Sequence, residues 1–178
     1  SIKSKWTLNL SNAISVAVRG ALCELDFKVA KTDNLFSRYL NMAYDKTGVM
    51  FTLPISCVGQ TACLSDAEIK KLTEVFAKFA VAYQIRDDEA DYLGNKTGRA
   101  TMSDILNERP NLYYLLSKSE RHSSDLFKHA SNFHEKLIEE AEVGLEAFPN
   151  SLTHMIHELV LPFVKLTKSP DPSCNLAC

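Results

Sequence analysis

The sequence has little of what marks several large protein classes. Lys and Arg together number 20 against 22 Asp and Glu, a net charge of −2. The basic footprint of a nucleic-acid binder is absent, so no nucleic-acid partner is expected. No apolar run approaches the ~20 residues of a transmembrane segment, and no signal peptide is visible at the start. The five cysteines (Cys23, Cys57, Cys63, Cys174 and Cys178) are odd in number, scattered, and form no Cys-x-x-Cys pair. That usage points to the cytoplasm or another reducing intracellular compartment. Cys178 is the last residue, not four from the end, so it does not form a prenylation signal. Internal repeats, low-complexity segments and strand-period stretches are also missing.

What is present is an ordinary globular composition, 46% hydrophobic and 24% charged over 178 residues. That length fits one domain with a real core. The domain is expected over 1–168, with 169–178, rich in Pro and Ser, as a flexible tail. Helical periodicity dominates throughout. A first helix is expected over about 9–30, with Ile14, Val18, Leu22, Leu25 and Val29 as its apolar stripe. Gly20 lies inside it, which costs ~1 kcal/mol relative to Ala and points to close packing. After a turn at 31–34, a second helix carries Phe36, Leu40, Ala43, Thr47 and Met50 on one stripe. Pro54 should kink or end it, and Gly59-Gln60 should break the chain.

Ser65-Asp66-Ala67-Glu68 reads as a capping box. It opens a helix of about 28 residues, ~42 Å long, with Ile69, Leu72, Phe76, Phe79 and Tyr83 as its stripe. Gly94 is its natural stop. Residues 94–109 read as a polar loop, and Pro110 starts a short helix to Leu116. Two more helices are expected, over about 124–147 and 151–168, the second kinked at Pro162. The fold class is all-α, a bundle of five or six helices. His154 and His157, three apart, read as a surface or interface pair. His122, His129 and His134 read as exposed, and Glu139-Glu140-Glu142 as a solvated face.

The long helix closes on Asp87-Asp88-Glu89-Ala90-Asp91, four carboxylates in five residues. Gln84, Asp87 and Asp91 share one face, with Asp88 one step round. Acidic groups in a last turn oppose the helix dipole by about 0.3–1 kcal/mol each, and Asp87 and Asp91 repel as an i,i+4 pair. A solvated acidic patch explains such spacing, but a divalent cation would reverse the penalty. Mg²⁺ suits oxygen ligands and bridges carboxylates to phosphates, and Lys46, Lys96, Arg99 and Arg109 supply cations for a polyanion. Ala77 and Ala80 precede Gln84 on the same face. They suggest either close helix packing or a channel with a charged mouth, for which an isoprenoid diphosphate is the matching ligand.

These residues resemble a known family. Tyr83-Gln84-x-x-Asp87-Asp88-x-x-Asp91, with Gly94, Gly98 and Asp104-Ile105 downstream, is similar to the second aspartate-rich motif of the trans-isoprenyl diphosphate synthases, the polyprenyl synthetase family. Lys46-Thr47-Gly48 resembles that family's Lys-Thr motif. Gly20-Ala21 stands where the family has Gly-Gln, and Arg99 where a Lys often follows Gly. The resemblance covers about 15–168 and corresponds to the C-terminal portion of an isoprenoid synthase bundle.

The resemblance implies prenyl transfer from an allylic diphosphate to isopentenyl diphosphate, with Mg²⁺ as cofactor. It implies Asp87, Asp88 and Asp91 as metal ligands, Asp87 most directly. Lys46, Lys96 and Arg99 would bind diphosphate, and Lys46, Thr47, Gln84 and Asp87 would serve the reaction. The family's earlier aspartate-rich motif has no counterpart here. Isoprenoid diphosphate substrates are therefore expected together with a homo- or hetero-oligomeric partner, or a fragment, that supplies it. A class I terpene cyclase and a non-catalytic partner subunit are the alternatives.

Overall fold

A computed structural model describes residues 2–27, 35–96, 98, 100–117 and 123–166. Among the described residues the chain is helical and contains no strand. The elements are α1 (Ile2–Leu25), α2 (Leu35–Ala43), a π-helix (Tyr44–Gly48), α3 (Val49–Thr61), α4 (Asp66–Tyr92), α5 (Ser103–Leu106), α6 (Leu112–Ser117), α7 (Ser123–Leu145), α8 (Asn150–Leu159) and α9 (Leu161–Val164). The predicted turn at 31–34, His122 and the tail at 169–178 lie outside the described residues.

Helix α4 is the axis. It packs against α7, α3, the π-helix and α6. One apolar cluster joins Val81 and Ile85 to Tyr39, Met42, Leu112 and Tyr113. A second joins Leu72, Val75, Phe79 and Ala82 to Ile138, Ala141, Leu145 and Val164. The predicted capping box is formed. Ser65 Oγ accepts the Glu68 N–H at 3.3 Å, and Glu68 Oε2 accepts the Ser65 N–H at 2.8 Å. The helix stops at a left-handed Gly94, φ 74°.

Helix α1 departs most from its predicted packing. Ile14, Val18, Leu22 and Leu25 are exposed, Leu25 at 74%, although their spacing marks them as a core stripe. The inward side is instead lined by small residues, with Ala13, Ala17 and Ala21 half-buried and Gly20 buried. A Cβ at Gly20 would lie 2.4 Å from the Lys46 backbone nitrogen. Glycine thus lets α1 approach the π-helix backbone, and that approach orients the larger side chains outward.

Three further differences have local causes. Helix α3 continues through Pro54 to Thr61, held by its packing on α1 and α4, which offsets the ~3 kcal/mol of an interior proline. Helix α6 begins after Asn111, whose Oδ1 accepts the Tyr113 and Tyr114 N–H groups; the side-chain cap replaces Pro110 as the start. His134, predicted exposed, is buried with Nε2 2.5 Å from the Val164 carbonyl. It ties α7 to α9, and burial holds its pKa below the usual imidazole value. His154 and His157 are surface residues, facing Glu158 and Glu142 at 3.2 and 3.6 Å. Among the described residues no helix is long and apolar enough to cross a membrane.

Candidate active site

The π-helix sits between α1 and α4 and carries Lys46 and Thr47. Single π segments occur often at functional sites. Two ion pairs flank the Gly20 contact: Arg19 with Asp45 at 2.9 Å and Lys46 with Glu24 at 2.6 Å. Glu24 therefore fixes the Lys46 ammonium. From Thr47 a chain of hydrogen bonds runs into the bundle. The Thr47 hydroxyl donates to Gln84 Oε1 at 2.9 Å, and Gln84 Nε2 donates to Asp88 Oδ1 at 2.9 Å.

Asp88 ends that chain inside the protein. It is 2% exposed, and its Oδ2 accepts the Tyr39 hydroxyl and the Leu112 N–H, each at 2.7 Å. Burial raises its pKa, the three donors lower it, and the carboxyl stands at about 7. Burial and the Asp88 charge push the Tyr39 hydroxyl well above the phenol range, so Tyr39 remains a donor. These contacts tie α2, α4 and α6 together, a scaffolding task in addition to any role toward a ligand.

Asp87 and Asp91 form a different group. The Lys96 ammonium lies 2.8 Å from Asp87 Oδ2, 3.5 Å from Asp104 Oδ2 and 4.0 Å from Asp91 Oδ1. Burial pulls the Lys96 pKa down, but the hydrogen bond to Asp87 and the charges of Asp87, Asp104 and Asp91 outweigh it and leave the pKa raised. Asp91 is fully buried. It accepts the Ser103 hydroxyl at 2.5 Å and the Asp104 N–H at 3.0 Å.

The backbone at Gly94 and Met102 makes this possible. A Cβ at Gly94 would meet Thr101 Oγ1 at 2.4 Å, and Met102 takes a left-handed φ of 58°. The Met102 N–H then bonds the Asp91 carbonyl at 2.9 Å, which brings Asp104 to the end of α4.

The structure thus joins Thr47, Gln84 and Asp88 in one network and Asp87, Asp91 and Lys96 in another. Lys46 stands apart with Glu24, and Arg99 lies outside the described residues. Sequence reasoning missed Tyr39 as a member of the first network and Glu24 as the partner of Lys46. It noted Asp104 within the motif but gave it no role. Ala80 is fully buried, consistent with close packing at that position. A groove of about 370 Å³ opens farther up the helix beside Ala77, lined also by Tyr44, Val81 and Leu137.

The polyprenyl synthetase family model matches residues 3–144, a span holding the π-helix, the acidic end of α4 and the loop beyond. The chain belongs to the polyprenyl synthetase family. No curated protein and no solved structure gives a significant match. The family is one of prenyltransferases of isoprenoid biosynthesis, which use isoprenoid diphosphates and are generally Mg²⁺-dependent. Among the described residues no three carboxylate, imidazole or thiol side chains stand ready to hold a metal ion; Asp87, Asp91 and Asp104 lie within 4.0 Å of the Lys96 ammonium instead. The donor set itself is right for Mg²⁺, being hard carboxylate oxygens gathered about a cation.

Proposed function

We propose that this polyprenyl synthetase domain serves Mg²⁺-dependent prenyl transfer from an allylic diphosphate to isopentenyl diphosphate. A partner chain or fragment bearing the first aspartate-rich motif completes it. The observation that carries this reading is the meeting of Asp87, Asp91 and Asp104 around one cation at the end of α4, on the helix that also positions Gln84 beside Thr47.

Asp87 is the direct metal ligand, since its side chain is the most exposed of the three, at 39%. Asp91 supports it from the interior. Asp88 serves the site by holding Gln84 in place. Bound Mg²⁺ supplies positive charge to the leaving diphosphate. Lys46 and Lys96 contribute point charges to the same phosphates, and Arg99 is assigned there from the sequence pattern. The Thr47 hydroxyl and Gln84 amide present fixed dipoles to a developing allylic cation, where preorganised dipoles act most strongly.

The need for a completing segment is supported by the outer face of α1, where Leu10, Ile14, Val18, Leu22 and Leu25 are exposed at helical spacing. Contiguous apolar surface of this kind marks an interaction site. The same face favours the second reading, a non-catalytic partner subunit. Incubation with Mg²⁺, dimethylallyl or farnesyl diphosphate, and isopentenyl diphosphate, alone and with a synthase chain bearing the first motif, separates them. Elongated product supports the transferase. Mg²⁺-dependent binding without turnover in both mixtures supports the partner role, and a hydrocarbon with released diphosphate would indicate a cyclase.

A further inference from the structure

We propose that Asp88 is a positioning residue that sets the polarity of Thr47. By accepting the Gln84 amide N–H, it turns the Gln84 carbonyl toward the Thr47 hydroxyl. The Thr47 proton then points into the protein, and only oxygen lone pairs are left to face a ligand. Such a hydroxyl suits a positive or electron-poor centre in the ligand and offers no proton to an anionic one. The ligand side of this inference rests on the prenyl-transfer reading above; the polarity rests on the hydrogen bonds alone.

The hydrogen bonds run from α6 to the π-helix. The Leu112 N–H and the Tyr39 hydroxyl donate to Asp88 Oδ2, Gln84 Nε2 donates to Asp88 Oδ1, and the Thr47 hydroxyl donates to Gln84 Oε1. Several of these groups can reverse. A hydroxyl donates or accepts as it turns, and a primary amide exchanges its two ends by a flip. Two groups cannot reverse: a backbone N–H only donates, and an ionised carboxylate only accepts. The Asp88 carboxylate therefore draws the NH₂ end of Gln84 and leaves the carbonyl end for Thr47. Gln84 and Asp88 are buried, so a reversed bond would set donor against donor away from water. Thr47, half-buried, is the member nearest the surface. Asp88→Asn isolates the effect. Its side-chain oxygen stays on the Leu112 side, because the N–H there cannot accept, and the Tyr39 and Leu112 bonds are kept. Its NH₂ then faces Gln84, whose amide flips, and Thr47 receives an N–H and turns its own proton outward.

Nuclear Overhauser contacts of the Gln84 side-chain amide protons read the orientation on the whole chain, in mildly alkaline buffer. In the wild type these protons should lie nearer the Asp88 β-protons, and in Asp88→Asn nearer the Thr47 β-proton. Titration calorimetry with Mg²⁺ then compares two branched alkyl diphosphates of one shape, one with a tertiary ammonium at the branch point and one with carbon there. The wild type should prefer the ammonium analogue. Asp88→Asn should lower that preference by ~10-fold or more while the neutral analogue binds as before. Thr47→Val, which leaves Asp88 and Gln84 in place, should lose the preference too, and it is the second variant should Asp88→Asn fold poorly. A purely structural role for Asp88 would weaken both analogues together. That result overturns the proposal, as does equal wild-type affinity for the two analogues or an amide that Asp88→Asn leaves unturned. If the wild type binds neither analogue, the prenyl-transfer reading fails, and the amide contacts alone decide the polarity: a flip supports it and no flip overturns it.

Discussion

Asp87 and Asp88 are adjacent in the chain, yet one keeps 39% of its side chain in solvent and faces an ammonium, while the other is buried beneath Tyr39 and the α6 backbone. A step of 100° around a helix separates the two environments. A dense acidic motif at a helix end is thus not one site. Of its four carboxylates Asp87 keeps an exposed side chain, whereas Glu89 and Asp91 are buried with Asp88, and Asp88 holds the helices that position the others.

The sharpest way to break this comparison is Asp87→Asn. Mg²⁺-dependent diphosphate binding should fall by more than the ~10–100-fold that indirect substitutions cost, as read by titration calorimetry with and without Mg²⁺. Stability should hold or rise slightly, because Lys96 keeps Asp91 and Asp104 as partners when its part-buried bond to Asp87 is weakened and the repulsion with Asp91 is relieved. Asp88→Ala should do the reverse to the fold. It leaves the buried Tyr39 hydroxyl and Leu112 N–H without their acceptor, at a cost of about 3 kcal/mol in urea unfolding. An Asp88→Ala protein as stable as the wild type would dissolve the distinction between the two residues.

The pH dependence sharpens the same contrast. The Asp88 pKa is raised from 3.8 to about 7 in the fold, so the folded state holds a proton that the unfolded state releases. The stability this supplies is complete below pH ~3.8 and is lost as pH rises through about 7. Asp88→Asn, neutral at every pH, should flatten that part of the stability profile, and an unchanged slope would mean that Asp88 stays ionised. Gly20→Ala comes next. Alanine gains ~1 kcal/mol in helix propensity, but its Cβ would lie 2.4 Å from the Lys46 nitrogen. Overpacking costs about 1–3 kcal/mol, so a net loss is expected, with Lys46 displaced from Glu24. The smallest effect is Ser65→Ala at the far end of α4, about 1 kcal/mol from the lost cap, with diphosphate binding untouched.

Much of this was legible in the residues. The all-α class, the capping box at Ser65 and the stop at Gly94 all follow from short-range geometry, whereas Gln84, expected to group with Asp87 and Asp91, bonds Asp88 and leaves those two to Lys96. The close approach at Gly20 was readable as well, because a glycine weakens a helix interior and commonly marks where a second backbone comes near. The α1 stripe and His134 were misread for a common reason. Periodicity tells which residues share a face, but whether a face is covered depends on chain far away in sequence. The small face of α1 was covered in place of its apolar one, and Val164 came down over His134.

The sequence by itself determined the helices, their caps and the presence of a charged motif, because hydrogen bonding and side-chain spacing within four residues suffice for each. Only the tertiary structure decided that Asp88 faces inward, that Glu24 holds Lys46, and that Lys96 and Asp104 fold back onto Asp87 and Asp91. Those choices join residues 5 to 49 positions apart. They depend on which surfaces remain after the long helices have packed, and no local rule contains that information.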